Sequence, residues 1–461
     1  MEQQVRTPDR RLVVVGAIMI QLALGAIYAW SVFTARLTDP AGVYAFSASQ
    51  AAWVFSMGLA TFAIVMVLAG RILPRTGPRL LSIVGGLLLG AGYVIGGFFG
   101  ESFWVQLFAI GILSGTGIGL AYVVPIAVCV KWFPDKKGLI TGIAVAGFGF
   151  GATIWVKMAG SWFGGLLNTT SVFGLPGVQS VFVIYGITFF LLVLLGSMVM
   201  VNPPKGYAPA GWTPPSEAKG DRGAVDYRAR DMLRTPQFYM LWVTFMFAGI
   251  AGLMVIYCIK LFGIDALEYR GVADAGAITG TAMAWYAIFN GLGRILWGAI
   301  SDRIGRKNAI IAMSAAQGIV MLAMYHGFIN FGLAMGLIVG ASLIGFNYGG
   351  IFALFPAVTA DWFGNKEVGR NYGWVFTAYG VAGILGPLLA GVFKDAATGG
   401  NTPVGWMTPF LIAGVACLVG AIIMMFTEAP GTRRGRGRGG LARLLPGALR
   451  RPAPCRLRWW W

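Results

Sequence analysis

Long apolar stretches separated by short polar loops make up most of this chain from residue 12 onward. About 20 apolar residues are enough for a helix to cross the hydrocarbon core of a bilayer. The pattern predicts about twelve such helices, divided into two sets of six by a polar, proline-rich segment. The predicted helices cover residues 12–34, 51–70, 80–99, 104–130, 139–161 and 180–201, then 237–262, 275–299, 309–328, 332–358, 372–393 and 406–427.

Two short motifs are repeated between the two sets of helices. GRILPRTGPR begins at Gly70, and its counterpart GAISDRIGRK begins 228 positions later at Gly298. KWFPDK begins at Lys131, and DWFGNK begins 230 positions later at Asp361. Two repeats at nearly equal offsets indicate a duplicated half with both copies running in the same direction. Parallel repeats in a membrane are typical of secondary transporters whose site lies between two bundles.

We therefore predict an all-α membrane protein with an N-terminal six-helix bundle at residues 1–201, a cytoplasmic linker at 202–236 and a C-terminal six-helix bundle at 237–428. Residues 429–461 differ in kind, because nine arginines fall between Arg433 and Arg458 without an acidic residue. We expect this tail to be disordered. An anchor for anionic lipid and an artificial, out-of-frame extension both remain open for it.

Composition and charge agree with a membrane protein. Hydrophobic residues make up 57% of the chain and charged residues 11%, whereas a soluble domain has about a quarter charged residues. The net charge of +18 comes from the tail and from alternate loops, which predicts that these loops and both termini are cytoplasmic, in a bacterial inner membrane. We expect contact with membrane lipid and no nucleic-acid partner. The four scattered cysteines predict neither a metal site nor a cofactor.

One cation lies deep in a predicted membrane helix. Arg294 is in the eighth apolar stretch, and a lipid-facing arginine at that depth costs at least about 2.5–3.5 kcal/mol. No Asp or Glu lies inside any predicted helix, so the guanidinium is free to bind a carboxylate with two hydrogen bonds. Asn290 shares its helix face. Alternatively, Arg294 reaches the membrane boundary or bonds to backbone carbonyls.

A second cation, Lys157, lies in the fifth apolar stretch, closer to its external end. Two interpretations are equally compatible with its position. Its long side chain could reach the membrane interface, or its charge could attract anions at the outer mouth of a substrate pathway.

Several further motifs complete a family resemblance that extends from about Leu12 to Phe426. These motifs are WFPDKKG from Trp132, LRTPQF from Leu233, ALFP from Ala353 and RNYG from Arg370. Together with the repeated loops, they are similar to those of the major facilitator superfamily and, within it, the oxalate:formate antiporter family. The first repeat departs from the superfamily pattern because Pro74 stands where an aspartate is usual, while Asp302 keeps that aspartate in the second.

The resemblance implies a set of substrate-binding residues. Arg294 matches the family's substrate arginine, and aromatic residues matching those around the family's cavity are Tyr28, Tyr122, Phe148, Tyr348 and Phe352. For each aromatic residue taken alone, simple core packing is an equally good interpretation. Oxalate transporters of the family carry a second cation, a lysine, at the position of Tyr379. With one permanent charge instead of two, the site favours a monoanion, because a second carboxylate would lack a counter-charge.

We therefore expect a monomeric secondary active transporter of small carboxylates such as lactate, pyruvate or formate, working by alternating access and not acting as an enzyme. An oxalate:formate-type dicarboxylate antiporter is the nearest alternative, since Lys157 could supply a second charge. A drug or sugar carrier and a carboxylate-binding membrane sensor are the others. The chain has no Walker-type nucleotide motif, so the driving force is expected to be a gradient or an exchange.

Overall fold

The structure, a computed structural model, describes residues 9–37, 41–160, 162–204, 206–209, 226–331, 334–397 and 403–430. The middle of the predicted linker, residues 210–225, and nearly all of the predicted tail at 429–461 lie outside the described residues. The domain boundaries proposed above therefore stay predictions.

The first half of the chain contains six long helical segments and a small two-stranded ladder. The first segment consists of α1 and α2, joined by a 3-10 turn at Gly25–Ala29, and the fourth consists of α5 and α6, joined by a π-helical stretch at Leu107–Ser114. The elements are α1 Arg10–Leu24, α2 Trp30–Leu37, α3 Ala48–Thr76, α4 Pro78–Phe99, α5 Phe103–Gln106, α6 Gly115–Trp132, α7 Lys137–Gly160, α8 Leu166–Thr169, β1 Ser171–Val172, β2 Leu175–Pro176 and α9 Val178–Ser197.

The second half has the same arrangement of long helices, preceded by one short helix. Its elements are α10 Ala229–Met232, α11 Pro236–Tyr269, α12 Ala275–Ile304, α13 Arg306–Phe331, α14 Ala334–Phe363, α15 Val368–Ala397 and α16 Met407–Phe426. A 3-10 turn at Pro403–Trp406 leads into the last helix. The two strands pair antiparallel, with Ser171 opposite Pro176. The predicted all-α membrane fold is confirmed, with this short ladder as its one addition among the described residues.

Local signals in the sequence set several helix ends. Ser47 and Gln50 form a reciprocal capping box at the start of α3. Gly77 and Gly305, which occupy the same position in the two copies of the repeated motif, end α3 and α12 with φ values of 77° and 86°. Glycine adopts this left-handed region without the steric cost that other residues have. The repeated glycine is therefore a helix stop.

Eleven of the described helical segments are long and apolar enough to cross a membrane. The one long helical segment outside that set is α12, the helix that carries Arg294. The apolar runs placed the helices correctly, but their ends differ, because many helices continue into the polar loops; α11, for example, ends at Tyr269 instead of residue 262. The sixth ends earlier than predicted, at Ser197 instead of residue 201.

The two halves are in close contact from the level of Arg294 to the end of the molecule where α3 and α12 finish, here called the basic end. A Cβ atom on Gly142 of α7 would collide with the backbone carbonyl of Arg294 on α12. At a second contact between the halves, a Cβ atom on Gly70 of α3 would collide with the carbonyl of Gly369 on α15. Helix backbones approach this closely only where a side chain is absent. The basic end is therefore closed.

The two repeated loops make unequal contacts at this closed end. In the second copy, Asp302 accepts a hydrogen bond at 2.8 Å from the backbone N–H of Leu139, at the start of α7, and pairs with Arg306 at 2.6 Å. A carboxylate at a helix N-terminus is favourable because of the helix dipole. In the first copy, where Pro74 replaces the aspartate, Arg71 lies 5.4 Å from the ring of Trp374 on α15. One contact is charge-assisted and the other is a cation–π contact.

We predict that Asp302→Ala opens the basic end. A hydrogen bond to a charged group contributes about 1.5–3 kcal/mol, so its loss should increase the population of the open state at least about tenfold. The reporter is a cysteine at Ala127, which is buried beside Gly369 between the halves, in a background without the native cysteines. Its alkylation rate should rise at least about tenfold. Asp135→Ala, which removes an exposed acid from a neighbouring loop, is the control; an equal rise there, or no rise with Asp302→Ala, contradicts the prediction.

Candidate functional site

Arg294 of α12 is fully buried where this helix contacts α7 of the other half. Its Nε donates a hydrogen bond to Oδ1 of Asn290 at 3.2 Å, and its Nη1 donates to the backbone carbonyl of Val145 at 2.9 Å. Asn290 precedes it by one turn of α12, whereas Val145 belongs to α7 in the other half. The guanidinium therefore joins the two halves through a neutral acceptor on each side.

The remaining terminal nitrogen of Arg294 is not satisfied. Nη2 is buried without a hydrogen-bond partner, and none of the described acidic residues forms an ion pair with this arginine. The side chain does not reach the membrane boundary, because its exposed fraction is 0%. Bonding to a backbone carbonyl, the other alternative from the sequence, does occur but uses only Nη1. A buried, unpaired charge costs several kcal/mol in real proteins.

Aromatic rings hold the guanidinium on two sides. The ring centres of Phe352 and Phe148 lie 4.1 and 5.1 Å from its Cζ atom. Each desolvated cation–π contact contributes about 2 kcal/mol or more, which offsets part of the cost of burying the charge. The ring of Tyr122 packs edge-on against Phe148 with centroids 5.5 Å apart.

Three tyrosine hydroxyls form a hydrogen-bonded group across the interface between the halves, here called the tyrosine triad: Tyr28, Tyr348 and Tyr379. The Tyr28 hydroxyl is 2.7 Å from the hydroxyl of Tyr348 and 2.7 Å from that of Tyr379. Tyr28 belongs to the first half, in the 3-10 turn between α1 and α2, whereas its two partners lie on α14 and α15. The break in the first helix thus places Tyr28 at the centre of the triad.

The polar groups around Arg294 include donors that lack partners. The guanidinium is near enough to the hydroxyls of Tyr28 and Tyr122 to interact with them electrostatically. Nδ2 of Asn290 is nevertheless buried without a hydrogen-bond partner, as Nη2 of Arg294 is. Buried polar groups in proteins are nearly always paired. This region is therefore suited to a ligand that accepts hydrogen bonds.

A cavity of about 360 Å³ lies beside this region, towards the end of the molecule opposite the basic end. Its walls come mainly from α7, α11 and α12, and they are largely aliphatic. The polar residues among its lining are Tyr28, Thr153, Lys157, Thr281, Tyr286 and Asn290. Arg294 is not in this lining. Tyr28 and Asn290 separate the cavity from the guanidinium.

The structure thus brings together eight of the nine residues that the sequence picked out. Seven of them surround Arg294 or contact its neighbours: Tyr28, Tyr122, Phe148, Asn290, Tyr348, Phe352 and Tyr379. Lys157 lies apart, on the wall of the cavity. The aromatic residues, matched by the resemblance to the wall of a small cavity, form a packed shell in which the rings contact the guanidinium and one another, and Tyr28 also lines the cavity.

Two contributors were not picked out from the sequence. The carbonyl of Val145 is a backbone atom, and nothing in a side-chain pattern identifies it. Tyr286 lines the cavity and donates a hydrogen bond to the carbonyl of Gly252 at 3.2 Å. It precedes Asn290 by four residues and Arg294 by eight, so its position on their helix face was readable from spacing alone.

Both halves of the chain resemble one known protein family in sequence. Residues 12–283 and 268–461 each match the sequence profile of the Major Facilitator Superfamily. The chain belongs to the Major Facilitator Superfamily. The fold also matches that of a solved member, the proton:xylose symporter XylE, with a TM-score of 0.63 over 90% of this chain and 95% of XylE. Their sequence identity is 14%, so this likeness concerns the fold alone.

Several relatives align with this transporter over most of their length. YhjX of Escherichia coli (strain K12), an uncharacterised MFS-type transporter, is 30% identical over 381 residues, which is 81% of this chain and 86% of YhjX. The oxalate:formate antiporter of Oxalobacter formigenes is 27% identical and covers 90% of each chain. Apicoplast pyruvate carrier 1 of Toxoplasma gondii is 24% identical over 88% of each. The resemblance stated from the motifs is confirmed, and the protein is a membrane-spanning MFS transporter.

We predict that Gly252→Ala destabilises this transporter through Tyr348. A Cβ atom at position 252 would overlap the base of the Tyr348 ring, which would have to move away from Tyr28. Overpacking of a tight contact costs typically about 1–3 kcal/mol, so thermal unfolding of the purified protein should begin several degrees lower. Gly420→Ala is the matched control, because a Cβ atom there comes no closer than 3.5 Å to Thr244. Equal unfolding temperatures for the two variants contradict the prediction.

Proposed function

We propose that this MFS transporter moves small carboxylate anions across the bacterial inner membrane by alternating access. The observation that carries the proposal is the fully buried guanidinium of Arg294, which has an unsatisfied nitrogen and no acidic partner among the described residues. A carboxylate would supply both the missing charge and the missing acceptors. Bidentate pairing of this kind is the geometry for which arginine is suited.

The arrangement of the two halves supports alternating access. The basic end is closed by helix contacts, while the cavity lies on the other side of Tyr28 and Asn290. Arg294 bonds to the opposite half through the carbonyl of Val145. An anion bound at Nη2 would therefore lie at the interface between the two halves. Rocking of the halves would then expose the anion first to one side and then to the other.

The shape and charge of the site favour a monocarboxylate. Tyr379, where oxalate transporters of the family have a lysine, is buried and bonded to Tyr28. A dianion would therefore place its second carboxylate among aromatic rings with no second cation beside it. Lactate, pyruvate and formate fit this description. The substrates in the names of two relatives, oxalate and formate for one and pyruvate for the other, are all small carboxylates, and two of the three are monocarboxylates.

Transport of a dicarboxylate by exchange is the second candidate, and Lys157 is the feature that favours it. This lysine lines the cavity. In sequence it follows Phe148, whose ring contacts the guanidinium, by about two and a half turns of α7. We propose instead that Lys157 attracts anions into the cavity.

We further propose that the transporter is monomeric and contacts membrane lipid. Both termini would lie in the cytoplasm, because the positively charged loops lie at the basic end.

Arg294→Ala should abolish carboxylate uptake into proteoliposomes, and Arg294→Lys should reduce it strongly, because an ammonium group cannot bond Asn290, Val145 and a carboxylate with one planar fork. Arg79→Ala, which removes an exposed arginine bonded to the carbonyl of Met198, should retain uptake. Normal uptake of pyruvate and lactate by correctly inserted Arg294→Ala protein would refute the role assigned to this residue.

Tyr379→Lys should shift preference towards oxalate, because it adds a second cation next to Tyr28. The measurement is the ratio of oxalate to lactate uptake, which should rise about tenfold for one new charge-assisted hydrogen bond. Tyr379→Phe is the matched control, since it removes the hydroxyl without adding charge and should leave oxalate excluded. An unchanged ratio in Tyr379→Lys would count against the charge argument.

A further inference from the structure

Three exposed phenylalanines lie together at the end of the molecule opposite the basic end, and they are here called the phenylalanine patch. Phe98 and Phe99 are the last two residues of α4, and Phe173 is at the tip of the hairpin formed by β1 and β2. The ring of Phe98 has its centroid 6.2 Å from that of Phe99 and 6.0 Å from that of Phe173. The exposed fraction of Phe173 is 77%.

The tip of the hairpin presents Phe173 at a cost to the backbone. The chain turns through Phe173 and Gly174, whose φ values are 54° and 77°. A two-residue hairpin turn with two positive φ values favours asparagine followed by glycine, and a bulky residue in this region is an outlier. Strained residues of this kind are concentrated at functional positions. The requirements of the turn therefore do not explain the phenyl group of Phe173.

The hairpin is fixed to the first turn of α9 by one buried serine. Oγ of Ser180 accepts a hydrogen bond from the backbone N–H of Val172 at 2.7 Å and donates one to the carbonyl of Leu175. Val172 and Leu175 are the paired residues on either side of the tip. A two-stranded hairpin alone is marginally stable, so these bonds hold the tip in its place beside α4.

The phenylalanine patch continues the lipid-facing surface of α4. This helix is one of the segments able to cross a membrane, and the exposed aliphatic residues on one of its faces are Leu80, Val84 and Leu87. Phe98 follows Leu87 by eleven residues, about three helical turns, so it lies on the same face. Exposed apolar patches mark contact with a membrane or a protein, and aromatic residues are favoured at the level of the lipid headgroups.

We propose that the hairpin of β1 and β2 is a membrane anchor, and that Phe173 inserts into the lipid interface at the end of the molecule opposite the basic end. A spanning helix must contact lipid, but a hairpin outside the helices need not, so this contact is a separate property of the chain. It goes beyond carboxylate transport and does not depend on it. The anchor holds the loop between α7 and α9 at the level of the headgroups.

The first experiment measures contact between the hairpin tip and lipid. Phe173→Cys, in a background without the native cysteines, carries a bimane fluorophore, an apolar ring that takes the place of the phenyl group. The protein is reconstituted as single molecules in vesicles of phosphatidylcholine brominated near the glycerol end of its acyl chains, because bromine quenches a fluorophore only at contact. We expect quenching close to that of the same label on Leu87→Cys, and several-fold stronger than on Asp274→Cys, an exposed position at the same end of the molecule.

Quenching of the label at position 173 no stronger than at position 274 overturns the proposal. Iodide added to the water then identifies what surrounds the tip. A label quenched by iodide lies in water, whereas a label shielded from both quenchers is covered by protein.

Phe173→Asn tests whether the phenyl ring is the anchor, because asparagine suits a positive φ and keeps the turn. The reporter is bimane on Ser171→Cys, an exposed residue of β1 two positions before Phe173. Quenching of this label by brominated lipid should fall several-fold. Phe163→Asn is the matched control, since Phe163 is also exposed with a φ of 57° but lies outside the hairpin, and quenching there should not change. Unchanged quenching in Phe173→Asn overturns the assignment.

Discussion

A buried guanidinium without an acidic partner is the constraint on which the rest of this site depends. Arg294 is held by Asn290 in its own helix, by the carbonyl of Val145 in the other half and by two aromatic rings. These contacts orient the charge without neutralising it, because every one of them is neutral. A membrane protein retains such an uncompensated charge at the cost of stability, and the usual reason is function.

The same contacts connect binding to the shape of the molecule. Tyr28 in the first half bonds to Tyr348 and Tyr379 in the second. The tyrosine triad therefore connects the two halves, as the hydrogen bond from Arg294 to Val145 does. An anion at this point would contact both halves at once. The closed basic end, with the cap of Asp302 on α7, belongs to the same state. The site and the closure are parts of one arrangement of two rigid bundles.

Much of this arrangement was readable from the sequence, and what was not has a physical reason. The apolar runs and the repeated loops predicted the bundles, because lipid requires long apolar helices and a glycine helix stop recurs at Gly77 and Gly305. Arg294 was identifiable because a charge is rare at such depth. The packed shell of rings, the tyrosine triad and the bond to Val145 depend on how separate helices approach, which spacing within one helix does not determine.

The central claim is that a substrate carboxylate becomes the counter-ion of Arg294. Solid-state NMR on the reconstituted transporter, with ¹³C in the carboxylate of pyruvate and ¹⁵N in the arginine side chains, measures this contact directly. The account predicts a dipolar coupling between the carboxylate carbon and guanidinium nitrogens that is present in the wild type and lost in Arg294→Lys. A wild-type protein that transports pyruvate without this coupling, or a coupling that persists in Arg294→Lys, would contradict it.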